Sequence, residues 1–193
     1  MGLNPATFLK RLEDIVTGDG FKRVLQGVNI NSLRDDAGII LTASTEPSRE
    51  ALETVFDGVV VSSSQTDLGR LAFQIPRDYD ATVDKLHIRF LCNSAGDTNT
   101  PTIDCIMYRK RAGAAVSSDI DPTISAAANT NTALADWVEI VSEGDGWLPG
   151  DAVCCEFATS AHTTDAFHVY GLEIVYASDL VYYNDDERSI SDE

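Results

Sequence analysis

From about residue 56 the chain runs in short stretches of alternating or β-branched apolar residues, separated by turn-rich segments. "VVVSS" (59–63), "LAFQI" (71–75), "KLHIRFLC" (85–92), "TIDCIMYRK" (102–110), "DWVEIVS" (136–142), "AVCCEFA" (152–158) and "FHVYGLEIVYA" (167–177) each carry the period-two pattern or short apolar run of a strand. Seven such runs at this spacing predict a mainly β chain, with an antiparallel β-sandwich over residues 56–178. The alternation is clearest in the third run. Leu86, Ile88, Phe90 and Cys92 are expected to face a core, and Lys85, His87 and Arg89 the opposite side.

Residues 1–55 have a different texture and are expected to form an N-terminal helix and extended arm. Over 4–17 the spacing predicts an amphipathic helix, with Asn4 as N-cap, Pro5 in the first turn and Gly18 as terminator. Phe8, Leu9, Leu12, Ile15 and Val16 share one face, which needs a surface to cover, either on the same chain or on another subunit. Phe8, Leu9, Leu12 and Ile15 are therefore candidate partner contacts. The segment 112–133 is rich in Ala, Ser, Thr and Asn and reads as a long surface loop and a candidate contact surface. Residues 179–193 form an acidic C-terminal tail.

Charge narrows the function classes. The 193 residues hold 31 acids against 14 bases, a net charge of -17, which disfavours nucleic acid and anionic membranes as partners. No apolar run approaches the ~20 residues of a membrane-spanning helix, so a soluble chain made in the cytoplasm is expected. Against this field stand Arg109, Lys110 and Arg111, three consecutive cations at a strand end. Consecutive strand residues point to alternate faces, so local ion pairing or docking to an acidic neighbour is expected rather than one phosphate-binding surface. All three are candidate partner-binding residues.

The chemistry-bearing residues do not assemble into a reactive pattern. Cys92, Cys105, Cys154 and Cys155 form no C-x-x-C pair and read as reduced core thiols, with a Cys92–Cys105 bridge conceivable only if their strands pair. His87 and His168 lie inside alternating strands, and His162 lies in a turn near Asp165; none is matched to a nucleophile. Asp119 with Asp121, and Asp145 with Asp151, lack the spacing of a calcium loop and read as turn residues. No catalytic residue, metal site or cofactor site is therefore assigned. "EGDGWLPGD" reads as an inter-strand connection, with Pro149-Gly150 as its turn and Trp147 packed beneath; an exposed Trp147 would instead suit a sugar or an interface.

"FQIPRDYDATVDKL" (73–86), "NSAGDTNTPTIDCIMYRKRAG" (93–113), "DGWLPGDAV" (145–153) and "HTTDAFHVYGLEIVYASDLVYY" (162–183) together resemble a group of bacteriophage and prophage structural proteins. The resemblance implies a jelly-roll-like β-sandwich on a virion, acting without catalysis as a capsid cement or decoration protein. It implies noncovalent binding to the outer surface of the shell, with the major capsid protein as partner and a homo-oligomer, dimer or trimer, as the binding unit. The alternative is a tail-fibre or carbohydrate- or receptor-binding β-sandwich module that stacks ligands on Trp147, Tyr108, Tyr182 or Tyr183. That version requires these aromatics to be exposed together in one groove. A hydrolase on the same scaffold would need an apposed acid and base.

Overall fold

The computed structural model describes residues 23–63, 65–94, 102–120, 127–128, 134–159 and 166–178. The expected helix over 4–17, with Phe8, Leu9, Leu12 and Ile15, and the tail from 179 onward lie outside the described residues. Ten strands are found within them: β1 (Arg23–Val28), β2 (Ser48–Leu52), β3 (Phe56–Val61), β4 (Asp67–Gln74), β5 (Lys85–Asn93), β6 (Thr102–Lys110), β7 (Ala127–Ala128), β8 (Asp136–Glu143), β9 (Ala152–Thr159) and β10 (Phe167–Ala177). Each of the seven stretches predicted from alternation falls on one of them. No helix among the described residues is long and apolar enough to cross a membrane.

All strand pairings are antiparallel. One sheet has the order β2-β3-β10-β5-β8, the other β4-β9-β6-β7. From β3 onward the chain changes sheet at each strand, except that β6 and β7 stay together. The two four-strand orders β3-β10-β5-β8 and β4-β9-β6-β7 make this an antiparallel β-sandwich with jelly-roll connectivity. β10 organises the larger sheet. β5 runs along one of its edges, while β3 takes the first part of the other edge and β1 the second.

Alternation dictates the core. In β5, Leu86, Ile88, Phe90 and Cys92 are all fully buried, as their spacing predicts. From the facing sheet come Ile103, Met107, Cys155 and Phe157, and Phe90 meets Phe157 edge-on at 4.9 Å between ring centres. The four cysteines are free thiols. Cys92 and Cys105 lie in different sheets, so the condition for a bridge between paired strands is not met. Cys155 is buried while Cys154, its neighbour, reaches the opposite face.

The segment 23–55 corrects the expected arm. β1 and β2 extend the larger sheet, and Leu33 and Leu41, from the stretch between them, are buried in the core. Arg34 and Arg70 exchange backbone hydrogen bonds of 2.9 and 2.7 Å, which ties this stretch to the edge of β4. Sequence periodicity misses these elements for a physical reason. β2 reads "SREAL", an edge strand that buries Ser48 and Leu52 at its ends and leaves Glu50 and Ala51 exposed, so it shows no alternation, and the isolated leucines follow no repeat.

Gly58 fixes how the β2–β3 hairpin lies on the sheet. A Cβ there would overlap Leu52 Cδ1 and stand 2.7 Å from the Val169 carbonyl oxygen, so the buried Leu52 side chain folds over the bare backbone. Gly58→Ala is expected to cost about 1–2 kcal/mol, because the Val169 carbonyl is backbone and cannot yield without shifting β10. A urea midpoint unchanged from wild type would refute this reading.

Candidate functional site

The three cations at the end of β6 are engaged locally. Arg109 and Arg111 project the same way, as alternation requires, and both grip the connection between β8 and β9. Arg109 Nη1 donates to the carbonyls of Asp145 (2.9 Å) and Gly146 (3.0 Å), and its guanidinium lies 5.6 Å from the centre of the Trp147 ring. Arg111 donates from Nε and Nη2 to the two Asp151 oxygens at 2.8 and 2.6 Å, and from Nη2 to the Gly146 carbonyl at 2.8 Å. Lys110, on the other face, donates to the Ala114 carbonyl. Asp151 is almost fully buried, and the bonded Arg111 guanidinium holds its carboxyl below the usual aspartate range against the opposing effect of burial.

The gripped connection is built as its sequence predicts. Pro149 and Gly150 make its turn, with the Asp151 N–H donating to the Leu148 carbonyl at 3.0 Å and Gly150 at φ +86°. Trp147 is fully buried beneath it, and its indole N–H donates to Ser142 Oγ at 2.7 Å. Asp84 closes the arrangement from below, accepting from the N–H groups of Gly146 (2.6 Å) and Trp147 (3.0 Å) and from the Tyr79 hydroxyl (3.2 Å). Burial, with the Asp84 charge beside it, pushes the Tyr79 phenol up, so it remains a donor. These carboxylates thus have structural partners of their own.

Of the aromatics proposed as a stacking platform, Trp147 and Tyr108 do not share an exposed groove. Trp147 is inside, Tyr108 is half-buried on the outer face of the smaller sheet, and Tyr182 and Tyr183 lie outside the described residues. A different aromatic group does assemble, on the outer face of the larger sheet. Phe56, Tyr170, Leu91, Ala135 and Glu53 line a cleft of about 270 Å³, just below the roughly 300–1,000 Å³ of small-molecule pockets. Phe56 is 56% exposed, and its ring meets that of Tyr170 edge-on at 6.3 Å and 81°. Val55, 76% exposed, directly precedes the cleft residue Phe56, and Leu134, 79% exposed, directly precedes Ala135.

Local backbone features put these side chains there. The pairing of β10 with β5 shifts register between Val169 and Gly171, and Tyr170 sits at that irregularity. Gly171, opposite Leu91, carries no side chain, and Trp137 from β8 reaches across β5 until its Cη2 is 3.8 Å from where a Gly171 Cβ would stand. At the hairpin tip, Glu53 (φ +48°) and Thr54 (φ +68°) both adopt positive φ, and the Val55 N–H donates to the Leu52 carbonyl at 3.1 Å. This is the φ signature of a type I′ turn, which ordinarily takes Asn and Gly. It brings Glu53 Oε1 to within 3.0 Å of the Tyr170 hydroxyl, which donates to it. Burial and this bond raise the Tyr170 phenol, and burial lowers His168, whose ring lies 6.3 Å from that of Tyr170.

Below the cleft the same face carries ion pairs in successive rows. Arg89 donates to Glu173 at 3.2 Å and lies 4.7 Å over the Trp137 ring, His87 Nδ1 is 2.9 Å from Glu139, and Lys85 is 2.9 Å from Glu143. His87 is thus a packed histidine with a carboxylate partner. Among the described residues no cluster of three or more His, Cys, Asp or Glu is arranged to hold a metal ion.

No protein-family model matches the chain, and no curated protein matches it by sequence. Among solved structures it is similar to the xylan-binding module CBM15, at 15% identity over 81% of this chain and 98% of that one, with a TM-score of 0.45. It is similar to the CBM22-1 xylan-binding domain from Paenibacillus barcinonensis Xyn10C at 7% identity, 80% and 94% coverage and a TM-score of 0.44. For CBM35 from Cellvibrio japonicus Abf62 the values are 10%, 81%, 98% and 0.43. None of these three solved structures is a virion protein.

Proposed function

We propose that this chain is a non-catalytic β-sandwich binding module that holds a polyhydroxylated ligand, a glycan, in the cleft formed by Glu53, Phe56, Leu91, Ala135 and Tyr170. The observation that carries the reading is the pairing in one cleft of an exposed aromatic surface with a fixed carboxylate acceptor. Sugar rings present apolar C–H faces edged by hydroxyl donors, and a site for them needs both kinds of surface. Apolar and aromatic walls with a few placed polar groups are the usual composition of a small-molecule site. The cleft carries the carbohydrate- or receptor-binding alternative on Phe56 and Tyr170 in place of Trp147, which is buried.

Phe56→Ala and Tyr170→Ala are each expected to weaken glycan binding about tenfold, the scale of an interface aromatic, with thermal stability little changed for the exposed Phe56. Glycan-array screening of the full chain, followed by calorimetric titration of the variants, measures this. Equal affinity of wild type and both variants would remove the cleft from the reading. The decoration role on a capsid shell, with the major capsid protein as partner, remains a proposal about where such a module is carried. No contact in the fold favours it over ligand binding.

A further inference from the structure

We infer that Glu53 determines the ligand class of the cleft, selecting uncharged glycans that offer hydroxyl donors and rejecting those that carry carboxylates; this rests on the glycan-binding reading above. Three observations converge on it. The first is conformational. Glu53 and Thr54 hold consecutive positive φ values, +48° and +68°, and a β-branched residue in that region is a genuine outlier. The strain is tolerated at a tip where Asn-Gly would relieve it, and strained backbone concentrates where a side chain must be presented in one place.

The second is the hydrogen-bond geometry. The Tyr170 hydroxyl donates to Glu53 Oε1 at 3.0 Å, which orients the carboxylate beside the Phe56 ring and leaves Oε2 for a donor on the ligand. A carboxylate that accepts from a tyrosine on one side reads a hydroxyl on the other, and charge assistance strengthens both bonds.

The third is the sign of the surroundings. Glu50 lies with Glu53 near His168, whose imidazole is held below its ordinary value by burial and so adds no compensating charge near neutral pH. Arg89, on the same face two residues along β5 from Leu91, is engaged by Glu173 and Trp137. With a chain charge of -17, a ligand carboxylate entering this cleft would meet like charge, with no cation committed to it among the described residues.

The test uses the full chain and two variants, Glu53→Gln and Glu53→Lys, against hexasaccharides of β-1,4-linked glucose, mannose and galactose and against hexagalacturonate. Wild type is expected to bind at least one neutral hexasaccharide at least tenfold tighter than hexagalacturonate. Glu53→Gln is expected to narrow that ratio, and Glu53→Lys to reverse it, with unfolding temperatures confirming that both variants fold. Wild-type binding of hexagalacturonate equal to or tighter than the neutral ligands, or a ratio unmoved by Glu53→Lys, would overturn the assignment to Glu53 while leaving glycan binding standing. Failure of wild type to bind any glycan, neutral or acidic, on the panel and on the array would overturn both.

Discussion

Trp147→Ala is expected to cost about 3–5 kcal/mol and to leave the sandwich barely folded at room temperature. The residue is fully buried, its indole N–H bonds Ser142 Oγ at 2.7 Å, and the Arg109 guanidinium lies over its ring. Removal therefore opens a cavity, strips Ser142 of a donor and uncovers the apolar side of Arg109 together. Trp147→Phe should recover much of the loss, since it refills most of the volume and forfeits chiefly the hydrogen bond, worth about 1 kcal/mol. Urea unfolding followed by far-ultraviolet circular dichroism measures both variants. A Trp147→Ala cost below about 1 kcal/mol would mean that the loop over it collapses to fill the space.

That effect should be separable from ligand binding. The loop bearing Trp147 follows the end of β8 that pairs Glu143 with Lys85, whereas the cleft forms at the other end of β5, around Leu91. One end of the sandwich is closed by a hydrogen-bonded loop, and the other presents aromatic surface. The cations at the end of β6 belong to the closed end. Arg109 and Arg111 secure that loop, while Lys110 between them bonds the Ala114 carbonyl on the other face.

What the sequence reveals here follows from what periodicity can encode. β5 is legible because a strand between two neighbours, with one face in the core, must alternate, and Leu86, Ile88, Phe90 and Cys92 do. β2 is not legible, because it is buried only at Ser48 and Leu52 and its middle residues face no core, so nothing imposes alternation on "SREAL". The Pro149-Gly150 turn is legible from local chemistry, and its partners Arg109 and Arg111 are not, since 35 or more residues separate Arg111 and Arg109 from the Gly146 carbonyl they share. The cleft is hidden for a related reason. Tyr170 falls inside a predicted strand and Phe56 lies just ahead of one, and the positive-φ tip at Glu53 and the register shift beside Gly171 accompany their meeting in one exposed site. Positive φ at Glu and Thr has no compositional signature, so "LETVF" gives no hint of the bend.

Asp151→Asn is expected to cost about 2–3 kcal/mol at neutral pH, and that cost should fade in acid. Asp151 is 3% exposed and accepts from Arg111 Nε, Arg111 Nη2 and the Leu148 N–H, so its charge is removed from water but fully bonded. Its carboxyl is depressed below the ordinary aspartate value of 3.8, first by the Arg111 bond. A depressed carboxylate stabilises the fold at any pH above its unfolded value, and that contribution is lost as the pH falls through the folded value. Wild type and Asp151→Asn should thus differ by a constant amount from neutrality down to about pH 4, and converge below the 3.8 of an unfolded aspartate. Asp57 provides the control. It too is depressed, by its bond to Arg49, but it lies on the surface, where water and salt screen the pair and side-chain entropy opposes it. Asp57→Asn should leave the acid limb of the stability curve almost unchanged. Urea midpoints across pH 2.5–7, as an approximate span over which aspartate titrates, separate the two cases. An Asp151→Asn curve parallel to wild type throughout that span would show that the Arg111 contact holds the loop by shape and not by charge.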